Sequence, residues 1–267
     1  MSDQDLLDME GQVAIVTGAG QGAGRAIARE LARHNVGGVA VNDFVAERAE
    51  AVPAEITATG VPAMPVSFDV GDIAAVRAAN QAIKEKLGAA TILVNNAGNA
   101  GPVDDIGFSA MFWDEDPSAW DKYFRTNMFG VMNCAHTFIP NMVEASRGRV
   151  VTIVSDAGRV GEARLAAYAT AKAGAAGFVR AIAKETGRWN ITCNAISLST
   201  LEPPLPPEKL AEYVQTDRAK AYVSRYVIRR YGKPEDVAGL ATFLCSRAAE
   251  WITGQTYPVN GGYSFAV

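Results

Sequence analysis

The sequence predicts an α/β fold: one doubly wound parallel sheet of about seven strands, with helices on both faces. Three observations carry this expectation. Short apolar runs rich in valine and isoleucine recur along the chain and read as strands buried on both faces. Most are separated by stretches with helical patterning, so the order is β-α-β throughout. The first run, Val13–Thr17, passes straight into a glycine-rich turn and then a helix. No repeat, charge block or linker interrupts the pattern, so residues 1–267 are expected to form a single domain.

The turn after the first strand is Gly18-Ala19-Gly20-Gln21-Gly22-Ala23-Gly24, and a helix is expected from Arg25 to about Arg33. A strand, a glycine turn and a helix N-terminus together make an anion site. The turn needs positive φ, bare backbone can approach a pyrophosphate closely, and the helix end offers unpaired N–H donors. Gly18, Gln21, Gly22, Ala23 and Gly24 are therefore candidate dinucleotide-binding residues. Gly38–Asn42 is the second strand and ends on Asp43, 25 residues after Gly18. A carboxylate there can accept hydrogen bonds from the adenosine ribose hydroxyls and would repel a 2′-phosphate, which favours NAD over NADP. The alternative is a solvated aspartate at a strand end, and the next basic residue is Arg48.

A helix is expected over Glu47–Thr59 and a strand over Ala63–Ser67. Asp69 and Val70 follow and are placed to meet an adenine ring. Asp72 reads as the N-cap of a helix reaching Lys86. Thr91–Val94 is the next strand and ends in Asn95-Asn96-Ala97-Gly98; Asn96, Ala97 and Gly98 would line the ligand crevice at the sheet's carboxyl edge. Residues 99–117 are irregular and aromatic, with Phe108, Met111, Phe112 and Trp113, and read either as a substrate loop or as core packing. Ser118–Ala145 is a long helix containing Asn127.

Val150–Val154 is a further strand, ending at Ser155, and the helix over Ala166–Gly187 carries Tyr168 and Lys172 four residues apart. Residues four apart share a helix face. A free tyrosine has a pKa of about 10, and a neighbouring ammonium would favour the phenolate. Ser155 could hydrogen-bond the same substrate oxygen. The same Tyr-Lys pair also occurs on helices as an ordinary surface pair, so its meaning rests on the rest of the chain. Ile191–Ile196 is another strand. Residues 198–226, with four prolines and a helix from about Glu208, read as a second lid over the sheet's carboxyl edge. A helix over Pro234–Cys245 and a last strand, Thr256–Val259, close the pattern.

Composition narrows the function classes. The net charge of -4 gives no basic surface for nucleic acid or an anionic membrane. No apolar run approaches the roughly 20 residues that cross a bilayer. The acidic opening MSDQDLLDMEGQ lacks the pattern of a secretory signal, so a cytoplasmic protein is expected. Cys134, Cys193 and Cys245 are odd in number, far apart and set among apolar residues, and read as buried free thiols. His34 and His136 are isolated, and no metal site is expected.

Taken together, Thr17-Gly18-Ala19-Gly20-Gln21-Gly22-Ala23-Gly24, Asn95-Asn96-Ala97-Gly98, Asn127, Ser155 with Tyr168 13 residues on, Lys172, Asn194-Ala195-Ile196, Ile252-Thr253-Gly254-Gln255 and Asn260-Gly261-Gly262 resemble the short-chain dehydrogenase/reductase family, in its single-domain branch. The resemblance spans Val13 to Gly262. It implies a Rossmann-type fold and an NAD(P)-dependent oxidoreductase that interconverts a secondary alcohol and a ketone. It implies Tyr168 as general acid/base, Lys172 lowering the tyrosine pKa and holding the nicotinamide ribose, Ser155 fixing the substrate oxygen, and Asn127 holding a water that relays protons. It also implies a homotetramer or dimer through the helices at Ser118–Ala145 and Ala166–Gly187, and no metal. A catalytically silent dinucleotide-binding sensor on the same fold is the alternative.

Three departures from the family pattern stand out. Leu198 and Ser199 replace its Pro-Gly, and Pro203 replaces a threonine near the carboxamide, leaving Leu198 and Thr200 as candidate cofactor contacts. Asp156 follows the catalytic serine; it could face solvent, bind a cationic substrate group or perturb the site. Val160, Leu165, Leu198 and the aromatic loop suggest a largely apolar substrate, such as a cyclic or aromatic alcohol.

Overall fold

A computed structural model describes residues 5–99 and 110–265. Seven parallel strands form one sheet in the order β3-β2-β1-β4-β5-β6-β7: β1 Val13–Val16, β2 Gly38–Asp43, β3 Ala63–Ser67, β4 Ala90–Asn95, β5 Gly148–Ser155, β6 Ile191–Leu198 and β7 Thr256–Val259. Every residue of β1, β2 and β4 is buried. This explains why these strands read as unbroken apolar runs rather than alternating ones.

Successive side chains on β1 feed two different cores. Ala14 and Val16 join Ile27 and Leu31 of α1 (Gly22–Leu31) and Val237 and Leu244 of α11 (Pro234–Cys245). Val13 and Ile15 join Val76 and Ile83 of α4 (Ile73–Lys86), Phe138 and Met142 of α6 (Gly130–Glu144) and Val179 of α8 (Ala166–Thr186). Each fully buried leucine, isoleucine or phenylalanine contributes roughly 1.5–3 kcal/mol, so both faces of the sheet are clamped. The strand ends that carry the candidate site are therefore fixed points.

Three helices differ from expectation. The stretch expected as one helix over Glu47–Thr59 is split into α2 (Ala46–Ala51) and α3 (Pro53–Thr57). Pro53 has no N–H and its ring collides with a preceding carbonyl in a continuing helix, so it opens a new helix at an early position. The long helix expected from Ser118 begins as a 3-10 turn, Pro117–Trp120, followed by α5 (Asp121–Phe124). It then passes through a π-helical turn, Arg125–Phe129, before α6. The lid region holds two short helices, α9 (Pro207–Tyr213) and α10 (Asp217–Val223), the second capped by Thr216 Oγ1, which accepts from Ala219 N–H. Asp72 caps α4 as expected, accepting from the N–H groups of Ala74 and Ala75. The three cysteines are buried and free, and burial pushes the Cys134 and Cys245 thiols up to about 12. Among the described residues no helix is long and apolar enough to cross a membrane.

Candidate active site

The glycine turn is held by β4. Thr17 Oγ1 accepts from the N–H groups of both Asn96 and Ala97, and Asn96 Nδ2 donates to the carbonyls of Thr17 and Gly18, each at 2.9 Å. Asn96 thus stitches two strand ends together. Thr17, which sequence reasoning did not single out, is the other half of the stitch. The missed signal was its hydroxyl at the last position before the glycines. Gly18 and Gly22 both have positive φ. A Cβ on Gly24 would lie 2.3 Å from the Gly18 carbonyl oxygen and 2.4 Å from Asn96 Nδ2, whereas one on Gly22 would meet nothing within 4 Å. The turn is crowded on its inner side and open at the N-terminus of α1, where no side chain caps the helix. Open space in front of bare helix N–H groups fits a pyrophosphate.

A cleft of about 540 Å³ runs from this turn along the carboxyl edge of the sheet. It brings together Gly18, Gln21, Gly22, Asp43, Asp69, Val70, Asn96, Ala97 and Gly98, nine of the residues expected to hold a dinucleotide. Ala23 and Gly24 sit in the first turn of α1 beneath it. Asp43 is buried and accepts from the N–H groups of Gly20 (3.2 Å) and Val45 (3.0 Å), so its carboxylate is aimed by backbone. Asp69 is engaged too: it accepts from Gly71 N–H and pairs with Arg125 at 2.8 Å. Arg48, Lys122 and Arg125 also line the cleft. Lys122 and Arg125 lay hidden inside an expected regular helix. Leu198 and Thr200 are not among the cleft's lining residues; Thr200 Oγ1 donates to Tyr222 Oη, and Thr200 N–H donates to Tyr226 Oη. Ser199, in place of the family's glycine, hydrogen-bonds Tyr226 Oη at 2.6 Å.

Beyond Gly98 lie the four expected catalytic residues. Ser155 ends β5, and Tyr168 and Lys172 project from α8. Lys172 is buried, its Nζ donates to the Ile153 carbonyl at 2.9 Å, and it stands 5.9 Å from the centre of the Tyr168 ring. Asn127 is fully buried in the π-helical turn; a widened turn of this kind is frequent at functional sites. Its Oδ1 accepts from Asn99 N–H, and its Nδ2 donates to the carbonyls of Asn99 and Tyr123. A Cβ on Gly98 would lie 3.2 Å from Asn127 Oδ1 and 3.3 Å from Lys172 Nζ, so the two groups converge on one point, where a side chain would press on both.

The electrostatics differ from the expectation in one respect. Burial raises the Tyr168 phenol above its ordinary value, and its hydrogen bond with Ser155 pulls in the opposite direction. Burial also lowers the Lys172 ammonium from 10.5 to about 8. In the protein alone, desolvation therefore outweighs any lowering of the tyrosine pKa by the lysine.

Asp156 does not face solvent. It is 2% exposed and its carboxylate accepts four hydrogen bonds: Oδ1 from Ser197 Oγ (2.6 Å) and Arg159 Nη1 (3.1 Å), Oδ2 from Asn260 Nδ2 (2.6 Å) and Ser264 Oγ (2.9 Å). A carboxylate has about four acceptor sites, so none is left for a cationic substrate group. Met111, Phe112 and Trp113 are exposed, Phe112 stacking on Trp120, and are not core. Val160 is exposed as well. Phe108 lies outside the described residues.

The geometry has a counterpart in known proteins. A family model described as short chain dehydrogenase matches residues 12–213. The chain belongs to the short-chain dehydrogenase family. It is 33% identical over 250 residues to the 3-oxoacyl-(acyl-carrier-protein) reductase of Staphylococcus aureus, covering 93% of this chain and 96% of that protein. It is equally similar, at 33% over 264 residues, to the 2,3-dihydro-2,3-dihydroxybenzoate dehydrogenase of Bacillus subtilis, covering 97% of this chain and 98% of that one. Its fold matches the crystal structure of a gluconate 5-dehydrogenase from Burkholderia cenocepacia in complex with NADP and tartrate, with a TM-score of 0.86, 28% identity and 99% coverage of both chains. As a short-chain dehydrogenase, this chain is an oxidoreductase of a family that binds a nicotinamide dinucleotide, and the open helix N-terminus and the cleft fit that group.

Proposed function

We propose that this short-chain dehydrogenase interconverts a secondary alcohol and a ketone, with NAD preferred over NADP. The observation that carries the reading is the convergence of Ser155, Tyr168, Lys172 and Asn127 at the end of the dinucleotide cleft, with all four side chains positioned by strand, helix or π turn. The bound nicotinamide supplies the hydride acceptor in oxidation and the donor in reduction. The protein's own residues manage the proton and the geometry. Ser155 Oγ accepts from Ala157 N–H at 3.2 Å, and its O–H, which meets the Tyr168 oxygen in the protein alone, can turn to donate to a substrate oxygen placed between the two. Tyr168 takes the alcohol proton in oxidation and returns one to the carbonyl oxygen in reduction. Lys172, anchored on the Ile153 carbonyl, stands between the tyrosine and Gly98, where it can hold ribose hydroxyls and pass a proton towards Asn127. Asn127 fixes the Asn99 backbone and keeps one Oδ1 lone pair for a water at the Gly98 point.

The NAD preference is supported by Asp43, a buried carboxylate among the residues that line the cleft, whose charge would oppose a 2′-phosphate; Arg48, which also lines it, is the competing charge. The exposed Met111, Phe112, Trp113 and Val160 support a largely apolar substrate. Phe129 and Met132, half-exposed around the start of α6, support assembly into a dimer or tetramer through that helix. The test is turnover. Purified protein is incubated with NAD or NADP and a panel of cyclic and aromatic secondary alcohols, and the reduced nicotinamide is followed by absorbance. Oxidation of at least one alcohol is expected. Tight dinucleotide binding with no turnover across alcohols and ketones would favour the silent-sensor alternative instead.

A further inference from the structure

Asp156 is the most heavily bonded carboxylate among the described residues outside the expected catalytic set, and its four partners come from three places. Ser197 is in β6, Arg159 is in α7 (Ala157–Val160), and Asn260 and Ser264 follow β7, 104 and 108 residues further along the chain. Arg159 is drawn into the same junction, donating also to Ser264 Oγ and to the Phe265 carbonyl. Asn260 Nδ2 donates in addition to the Ser264 carbonyl. The segment after β7 is thus tied to the single residue between Ser155 and α7.

That residue begins a turn with little freedom. Asp156 N–H donates to the Leu198 carbonyl, and its own carbonyl accepts from Arg159 and Val160. The next residue, Ala157, gives the N–H that Ser155 Oγ accepts. On the other side, Gly158 lies directly against the backbone of α8: a Cβ there would sit 2.8 Å from Ala173 N and 3.0 Å from the Lys172 carbonyl carbon. The turn carrying Asp156 therefore touches both halves of the site, aiming the Ser155 hydroxyl at one end and pressing on the helix at Lys172 at the other.

We infer that Asp156 is a positioning residue: with Asn260 and Ser264 it makes the segment after β7 a part of the active site, by locking the turn that sets Ser155 against Tyr168 and Lys172. The inference rests on the oxidoreductase reading above. An asparagine at this position keeps the shape but loses the charge and turns two donors towards a cage built of donors. Asn260 Nδ2 or Arg159 Nη1 is then left facing an N–H. Charge-assisted bonds to a buried carboxylate are the strong kind, so the turn loosens where it is held most firmly.

The experiment compares wild type with Asp156→Asn and Ser264→Ala, alone and in a Ser155→Ala background, on whichever alcohol the wild type oxidises. Folded sites are counted by fluorescence titration with NADH, so kcat is expressed per dinucleotide-binding site. Asp156→Asn is expected to lower kcat per site by about 10- to 100-fold, the scale of a misplacement near 1 Å, with the dinucleotide Kd within about twofold of wild type. Ser264→Ala is expected to lower kcat in the same direction but by less. In the Ser155→Ala background, Asp156→Asn should add little, because its effect runs through Ser155. A variant with fewer binding sites but wild-type kcat per site would make Asp156 structural only, and would overturn the inference. So would a full effect retained in the Ser155→Ala background. Hydrogen exchange provides an arm that needs no turnover: Asp156→Asn should speed amide exchange at 156–160 and at 260–265 together, and exchange raised in only one of the two segments would refute the coupling. Wild type inactive on every substrate would sink the oxidoreductase reading, and the exchange arm would still decide the coupling.

Discussion

Lys172→Met should abolish turnover and yet make the free protein more stable. Lys172 is 5% exposed, its amine donates to the Ile153 carbonyl, and burial lowers its pKa from 10.5 to about 8. That depression corresponds to roughly 3 kcal/mol by which the folded state disfavours the ammonium relative to the unfolded chain. Methionine fills similar space without a charge. It forfeits one hydrogen bond, about 1 kcal/mol, which leaves a net gain of about 2 kcal/mol at neutral pH. For a chain of this size the gain corresponds to a Tm rise of about 4 °C. The pH dependence follows from the direction of the shift. Between about pH 8 and the unfolded value of 10.5 the unfolded chain holds more protons than the folded one, so wild-type stability climbs with pH in that window. The advantage of the variant is therefore complete below about pH 8 and fades towards pH 10.5. Denaturant melts of both proteins without dinucleotide, at pH 7 and near pH 10, measure it; contributions from other groups cancel in the difference. A variant less stable than wild type at pH 7, or a gap that does not narrow with pH, would refute the reasoning. A lysine kept at such a cost is consistent with a functional demand at that position.

Other consequences are equally direct. Gly24→Ala drives a Cβ into the Gly18 carbonyl and the Asn96 amide, so dinucleotide Kd should rise by at least about tenfold, read by NADH fluorescence; an unchanged Kd would show that the turn can shift freely. Asp43→Ala removes the carboxylate opposed to a 2′-phosphate, and the NAD-to-NADP ratio of kcat/KM should fall by about tenfold or more; an unchanged ratio would mean Asp43 does not set the preference. Because burial raises the Tyr168 phenol above its ordinary value, the rate of alcohol oxidation should climb with pH through the alkaline range, and a profile flat from neutral pH upward would contradict a phenolate base.

The strands were legible because a sheet buried on both faces demands continuous apolar runs, and the glycine turn because only glycine tolerates its φ and its crowding. Pro53 was equally visible, but its consequence, two short helices in place of one, depends on where the chain packs against β2 and β3. The π-helical turn at Arg125–Phe129 left no mark in a sequence that reads as regular helix, although it is what seats Asn127 and turns Arg125 towards Asp69. Asp156 was conspicuous and yet unreadable. Its meaning lies in Ser197, Asn260 and Ser264, residues 41, 104 and 108 positions away, which no local pattern connects. The expected action of Lys172 on Tyr168 is a matter of burial, which only the packed structure weighs.

The central claim is that Tyr168 moves the proton. The most direct measurement is kcat of Tyr168→Phe on an alcohol that the wild type oxidises, alongside NADH binding by fluorescence. The phenyl ring keeps the packing of the half-buried site and removes only the hydroxyl. The account predicts a kcat lower by at least about 10²-fold, the scale of a lost general base, with dinucleotide Kd unchanged. Wild-type kcat in the variant would contradict it.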